Sequence, residues 1–258
     1  MTANENMLEA ALNIIAEGHV VFCPSLGEYP VYDDMLYDMM GNAPDKINAY
    51  RQALKDAVKD KVVVEVGTGS RAVLSLLCVE AGAKRVYAIE SNVEAAGKAE
   101  QLVKSRGFEN IVRIIEGDAS EVTLPEKADV CVSEIIGNIG SSEGVIKILS
   151  NAKRFLKKNG RFIPERSVTK IVPVFLPEQK YESDLLTNVL DGYIGKVYKE
   201  VGFEFPFSRW AVYNFPQTNF IADAEIFEDI DFNADMNENM EKSVRFNIST
   251  DCRFDGFL

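Results

Sequence analysis

Residues 61–66, Lys-Val-Val-Val-Glu-Val, form a continuous apolar run that ends in Gly67-Thr-Gly69-Ser70. A strand without polar alternation has to be buried on both faces, the situation of an inner strand in a parallel sheet covered by helices. Parallel neighbours need crossover connections, usually helical. The sequence supplies them: a helix is predicted over 71–81, a strand over 85–90, a helix over 93–106 and a strand over 111–116. A further strand over 128–133 precedes a loop and a helix over 143–157, and Lys157-Lys-Asn-Gly160 then turns into a strand over 161–164. Repeated β–α–β units with right-handed crossovers define an α/β fold with a Rossmann-like, doubly wound sheet.

The flanks have a different texture. Residues 5–17 carry Met7, Leu8, Ala11, Leu12, Ile15 and Ala16 at helical spacing, and 23–30 hold Pro24, Gly27 and Pro30 as a loop. A short amphipathic helix is expected over 31–40, and Asp45 is a suitable N-cap for a helix over 46–58. After Pro164 the chain becomes β-rich, over 167–176, 203–212, 224–232 and 243–252, with a helical patch at 181–190. Three parts are therefore expected: a helical segment 1–60, the sheet domain 61–165, and a mostly antiparallel module 166–258.

Composition narrows the function. The 258 residues include 28 basic and 40 acidic side chains, a net charge of −12, and residues 200–258 alone contribute −8 of it. That balance argues against a nucleic-acid binder. No apolar run approaches the ~20 residues of a membrane span. The first 20 residues lack a basic n-region and a cleavage pattern, so cytoplasmic residence is the expectation. Cys23, Cys78, Cys131 and Cys252 form no closely spaced pair and read as free thiols, with Cys78 and Cys131 in apolar runs. His19 is the one histidine, so a zinc site or a Ser-His-Asp triad would depend on it, and no metal is expected.

The strand ends carry the chemistry. Glu65 precedes Gly67 and Gly69, which allow a sharp turn and close approach to a ligand. Glu90 and Ser91 end the next strand, about 20 residues on, where an acid accepts hydrogen bonds from ribose hydroxyls. Gly117, Asp118 and Ala119 end the third. The spacing suits a dinucleotide or S-adenosylmethionine, and two features favour the latter. The third glycine of a pyrophosphate turn is missing, and the acids would repel an anion while suiting a cationic sulfonium. Solvated acidic tips without a ligand are the plain alternative. Glu134 leaves the fourth strand, and Glu143 lies nine residues on, with Gly137 and Gly140 between. Two carboxylates on such a loop can hold a planar cation, or one can act as base while the other orients the acceptor. Favourable placement at a helix N-terminus would also explain Glu143.

These motifs resemble class I S-adenosylmethionine-dependent methyltransferases, and within them the protein arginine methyltransferase group, over about residues 60–175. VVVEVGTGS resembles the first motif, AGAKRVYAIES the segment whose acid holds the ribose, and IIEGDASEVTLPEKADVCVSE the run through the adenine-contacting loop. S-E-x-x-G-x-x-x-x-x-E resembles the double-glutamate loop, and LKKNGRFIPERSV the closing strand that leads into a β-barrel. There are departures. Ser70-Arg71-Ala72 replaces a T-G, Tyr32 stands where histidine is expected, and the arginine that grips the cofactor's carboxylate falls near Gly41. Arg51 and Arg71 are the candidates to replace it, and the family's T-H-W loop is absent.

CPSLGEYPVYDD (23–34), SEIIGNIGSSEG and RFIPERSVTKIVPV resemble more closely the arginine-methyltransferase-like O-methyltransferase domains of polyketide and nonribosomal peptide assembly lines. That resemblance implies an N-terminal helical lid, S-adenosylmethionine as cofactor, a partial barrel at the C-terminal end, and a domain excised from a longer polypeptide. It implies O-methylation of a small-molecule or acyl-carrier-protein-tethered intermediate. Glu134 and Glu143 are then the catalytic candidates, with His19 as a further base. Glu65, Gly67, Gly69, Glu90, Ser91, Gly117, Asp118, Ala119 and Glu134 are the cofactor contacts. Arginine N-methylation of a basic peptide is the alternative activity, and a non-catalytic binding module is a third reading.

Overall fold

In the computed structural model, which describes residues 13, 16–24, 44–137, 139–177, 194–195, 197–199, 202–204, 210–248 and 251–258, five parallel strands build the central sheet. The elements run β1 (Val21–Pro24), α1 (Pro44–Leu54), β2 (Val62–Val66), α2 (Val73–Glu80), β3 (Arg85–Glu90), α3 (Val93–Ser105), β4 (Val112–Glu116) and β5 (Ala128–Ser133). They continue with α4 (Val145–Ala152), a 3-10 turn Lys153–Phe155, β6 (Leu156–Ile163), β7 (Arg166–Ile171), β8 (Pro173–Val174), β9 (Trp210–Tyr213), β10 (Glu225–Asp231) and β11 (Gly256–Phe257).

The sheet order is β4-β3-β2-β5-β6, and every neighbouring pair is parallel. Chain order reverses at β2: β3 and β4 extend the sheet on one side, β5 and β6 on the other. This reversal opens a crevice at the carboxyl ends of β2 and β5, where ligands bind in such sheets. The register brings Val66 beside both Ile89 and Ser133, and Glu90 beside Glu116, so the strand tips align. All five residues of β2 are buried. Its side chains alternate between two cores. Val63 packs with Leu54, Leu74, Leu77 and Val86 on one face, while Val62, Val64 and Val66 pack with Ile89, Leu149 and Phe162 on the other.

The chain divides into two compact units. One comprises Leu36–Ser167 and Asp229–Met240, and holds the parallel sheet. The other comprises Met1–Met35, Val168–Glu228 and Glu241–Leu258. In it, β1 pairs antiparallel with β9 and β8 with β11. Phe215 meets Phe22 edge-on and stacks on Phe220, and Thr169 donates a hydrogen bond to Glu228.

Several boundaries differ from expectation for local reasons. Pro44, whose missing N–H is no loss in a first turn, starts α1, so Asp45 lies inside that turn rather than capping it. Ala72, in the left-handed region at φ 45°, delays α2 to Val73. Gly144, at φ 72°, delays α4 to Val145, so Glu143 precedes the helix. The Lys157–Gly160 turn is a wide bulge within β6, whose pairing jumps from Ala128–Leu156 to Val130–Arg161. Cys23 and Pro24 belong to a strand rather than a loop, with proline at the end of a two-stranded pair, where its missing donor is tolerated. Residues 243–248 and 251–252 are not in a strand: their alternation finds no partner among the described residues. The expected helices over 31–40 and 181–190 lie outside the described residues, as does most of 5–17.

Candidate active site

The glycine turn after β2 is built on an acid. Glu65 is 1% exposed, because a strand buried on both faces leaves no solvated position for it. Thr68 Oγ1 donates to Glu65 Oε2 at 2.8 Å, and Ser75 Oγ donates to the same oxygen. The carboxylate thus ties β2 to the turn and to α2. Burial pushes its carboxyl from 4.5 up to about 7, Glu90 adds to the shift, and the Ser75 and Thr68 hydroxyls oppose it. Gly67 is exposed at φ 78°, a conformation that L side chains rarely adopt. Its N–H, and that of Thr68, bond the Ile89 carbonyl at 3.0 and 3.1 Å, fixing the turn to the tip of β3.

Glu90 is also buried, at 6% exposure. Its Oε2 accepts from the Gly69 N–H and its Oε1 from the Asn92 N–H, both at 2.8 Å. Each oxygen has a second lone pair for another donor. Ser91 is exposed beside it, and the Gly117 N–H bonds the Glu90 carbonyl at 2.9 Å. Asp118 is exposed and Ala119 half-buried. The Asp118 carboxylate accepts from the Ser120 N–H at 2.7 Å, and Ser120 holds its carboxyl below the usual range. Three strand tips therefore meet through backbone and carboxylate bonds.

Glu134 follows β5 directly and is partly exposed. The loop beyond it closes tightly: a Cβ on Gly137 would lie 2.2 Å from Ser142 Oγ and 3.2 Å from Glu143 Oε1. Only glycine permits that approach. Glu143 itself is exposed.

Two residues that pattern reasoning did not single out stand at this tip. Tyr50 donates from its hydroxyl to the Ser133 carbonyl at 2.8 Å. Burial pushes its hydroxyl well above the usual range, and the Glu134 and Glu65 carboxylates add to this. Lys46, one helical turn earlier, places Nζ 3.1 Å from Glu134 Oε2. Their i, i+4 spacing on the expected helix was the available signal. Arg51 turns elsewhere, with Nη1 donating to Asn48 at 2.9 Å and Nε 3.5 Å from Glu80. Arg71 lies half-buried in the turn before α2. His19 belongs to the other unit and is exposed, 3.3 Å from Glu17. Among the described residues no group of three His, Cys, Asp or Glu could hold a metal ion, and no helix is long and apolar enough to cross a membrane.

A family model described as PRMT5 arginine-N-methyltransferase matches residues 28–163, more than half of the chain. The chain belongs to this family. S-adenosylmethionine is the family's cofactor. Among curated proteins, the chain is similar to the histone-arginine methyltransferase CARMER of Drosophila persimilis, 38% identical over 53% of this chain and 26% of that protein. It is also similar to the probable protein arginine N-methyltransferase 6 of Arabidopsis thaliana, 29% identical over 66% of this chain and 39% of that protein. Among solved structures, the Trypanosoma brucei PRMT1 enzyme-prozyme complex with AdoHcy superposes with a TM-score of 0.59 at 22% identity, covering 77% of this chain and 62% of that chain. Arabidopsis thaliana protein arginine methyltransferase 10 gives 0.58 at 25% identity, covering 77% of this chain and 63% of that chain. The Rossmann-like fold of these methyltransferases is the fold of this chain. It spans well under half the length of the two curated relatives.

Proposed function

We propose that this chain is an S-adenosylmethionine-dependent methyltransferase that N-methylates arginine side chains of a protein or peptide. The observation that carries the reading is the pair Glu134 and Glu143 on one tight loop, directly after the tip of β5 at the sheet's switch point. Membership of an arginine-methyltransferase family supports it.

The strand tips suit the cofactor. Gly67 presents bare, exposed backbone at the crevice, and buried Glu90, oriented by two N–H groups, has lone pairs for ribose hydroxyls. Glu65 holds the turn from beneath, and Ser91, Gly117, Asp118 and Ala119 line the nucleoside side. When bound, the cofactor supplies a methyl group already activated on a sulfonium. The protein then has to position the acceptor nitrogen and manage its proton. Glu134 and Glu143 would take the guanidinium through paired N–H···O bonds, for which its planar fork is suited. Their charge also favours loss of the N–H proton once the new N–C bond forms.

One observation favours a second reading. Lys46 already supplies a cation to Glu134, which leaves less negative charge for a guanidinium and suits a neutral hydroxyl acceptor, as in the assembly-line O-methyltransferase domains. The deciding experiment incubates the protein and labelled cofactor with an arginine-rich peptide and, separately, with a hydroxyacyl carrier protein. Mass spectrometry should find methylarginine, with transfer lowered about 10²-fold or more in Glu134→Gln and Glu143→Gln. A methylated hydroxyl with unmodified peptide supports the second reading. Absence of cofactor binding removes both in favour of a non-catalytic module.

A further inference from the structure

The loop after β4 is held from outside by one guanidinium. Residues 118–122 form a single turn, with the Glu121 and Val122 N–H groups bonding the Asp118 carbonyl at 2.9 and 3.0 Å. One isolated turn satisfies few of its own carbonyls, and those at its end need outside donors. Arg154, in the 3-10 turn between α4 and β6, supplies them. Its Nη2 donates to the Ala119 carbonyl at 2.7 Å and to the Val122 carbonyl at 2.9 Å, and its Nη1 reaches Val122 at 3.1 Å. The guanidinium lies over the ring of buried Phe155, 4.2 Å from its centre, and Lys127 Nζ donates to the Arg154 carbonyl. The fork is thus fixed in place before any ligand arrives.

The hold extends to the tip. Val122 packs so closely on Gly117 that a Cβ there would lie 2.7 Å from Val122 Cγ1. Fixing the Val122 carbonyl therefore fixes Gly117, and the Ala119 contact fixes the other side of Asp118. A lysine could satisfy one of these carbonyls but has no planar fork to span both.

We propose that Arg154 is a positioning residue for nucleoside recognition: it sets the Gly117–Ala119 tip through two backbone carbonyls without touching the ligand. This rests on the cofactor reading above. The test measures affinity for S-adenosylhomocysteine and for adenosine in the wild type, Arg154→Ala and Arg154→Lys, with circular dichroism confirming that each is folded. Arg154→Ala should bind both ligands about ten-fold more weakly, the worth of one charged hydrogen bond. Arg154→Lys should recover little of the loss. Millimolar guanidinium, but not equal ammonium, should restore affinity to Arg154→Ala, a response that a general loss of stability would not give. Three results overturn the proposal: unchanged affinity in folded Arg154→Ala, a loss for S-adenosylhomocysteine without one for adenosine, or equal rescue by ammonium. A wild type that binds neither ligand refutes the cofactor reading, and the proposal with it.

Discussion

Replacing Glu65 by glutamine tests the account of the glycine turn. The substitution keeps the side chain's shape and its ability to bond Thr68 and Ser75, and removes only the charge. The folded carboxyl titrates near 7 against an ordinary value of 4.5, because burial disfavours the ionised form. A raised value has a definite sign: the folded state keeps a proton that the unfolded state releases. The stabilisation is complete below about pH 4.5, falls as pH rises towards 7, and is gone above it. The gap amounts to about 3 kcal/mol, most of it developing between pH 5 and 8. Glutamine does not titrate. Glu65→Gln should therefore gain about 2–3 kcal/mol on the wild type between pH 5 and 8, or roughly 5–10 °C in melting temperature. Urea titrations of both proteins at the two pH values measure this directly, since titrating groups that do not interact with Glu65 cancel in the difference. A difference between the proteins that does not change with pH would show that the carboxylate is not held as described.

Tyr50→Phe should cost about 1 kcal/mol in urea unfolding, for the hydrogen bond to the Ser133 carbonyl, and lower kcat several-fold with cofactor affinity unchanged. Gly137→Ala should reduce methyl transfer about 10²-fold, because a Cβ there meets Ser142 Oγ and displaces Glu143. Adding Ser142→Gly should return part of that activity in the same assay. Asn92→Ala should cost about 1 kcal/mol by losing the bond from the Ala95 N–H that caps α3, seen as a melting temperature lower by about 2–4 °C. Cys78 and Cys131 should resist alkylation in the native protein at pH 8 and react fully in urea, since both are buried and burial pushes both thiols up.

The parallel sheet was legible because its evidence is local. Val62–Val66 has no polar alternation, and each crossover helix follows at the spacing the topology demands. The same run also contained the fate of Glu65: a strand buried on both faces buries every residue, acids included. The glycines beside it point to a ligand contact, and in the structure one oxygen of its carboxylate accepts from Thr68 and Ser75. Lys46 and Tyr50 escaped notice because their partners lie across the fold, Tyr50 being 83 residues from Ser133. No window of periodicity spans that interval. Residues 243–248 and 251–252 show the opposite case, since alternation reports a half-buried surface and says nothing about whether a partner strand stands beside it.

The reversal of strand order has a consequence for biosynthesis. β2 leaves the ribosome first among the five sheet strands, yet it ends in the middle of the sheet. One edge is covered early, when β3 pairs Val64 with Tyr87, and the other waits until β5 brings Cys131. For the time it takes to translate β4 and the segment before β5, a strand of four valines and one acid has one open edge. The hydroxyl of Tyr50 waits for the same event, because its carbonyl partner ends β5. Covering the second edge of β2 and supplying the carbonyl partner of Tyr50 are one step, timed by the arrival of a single strand.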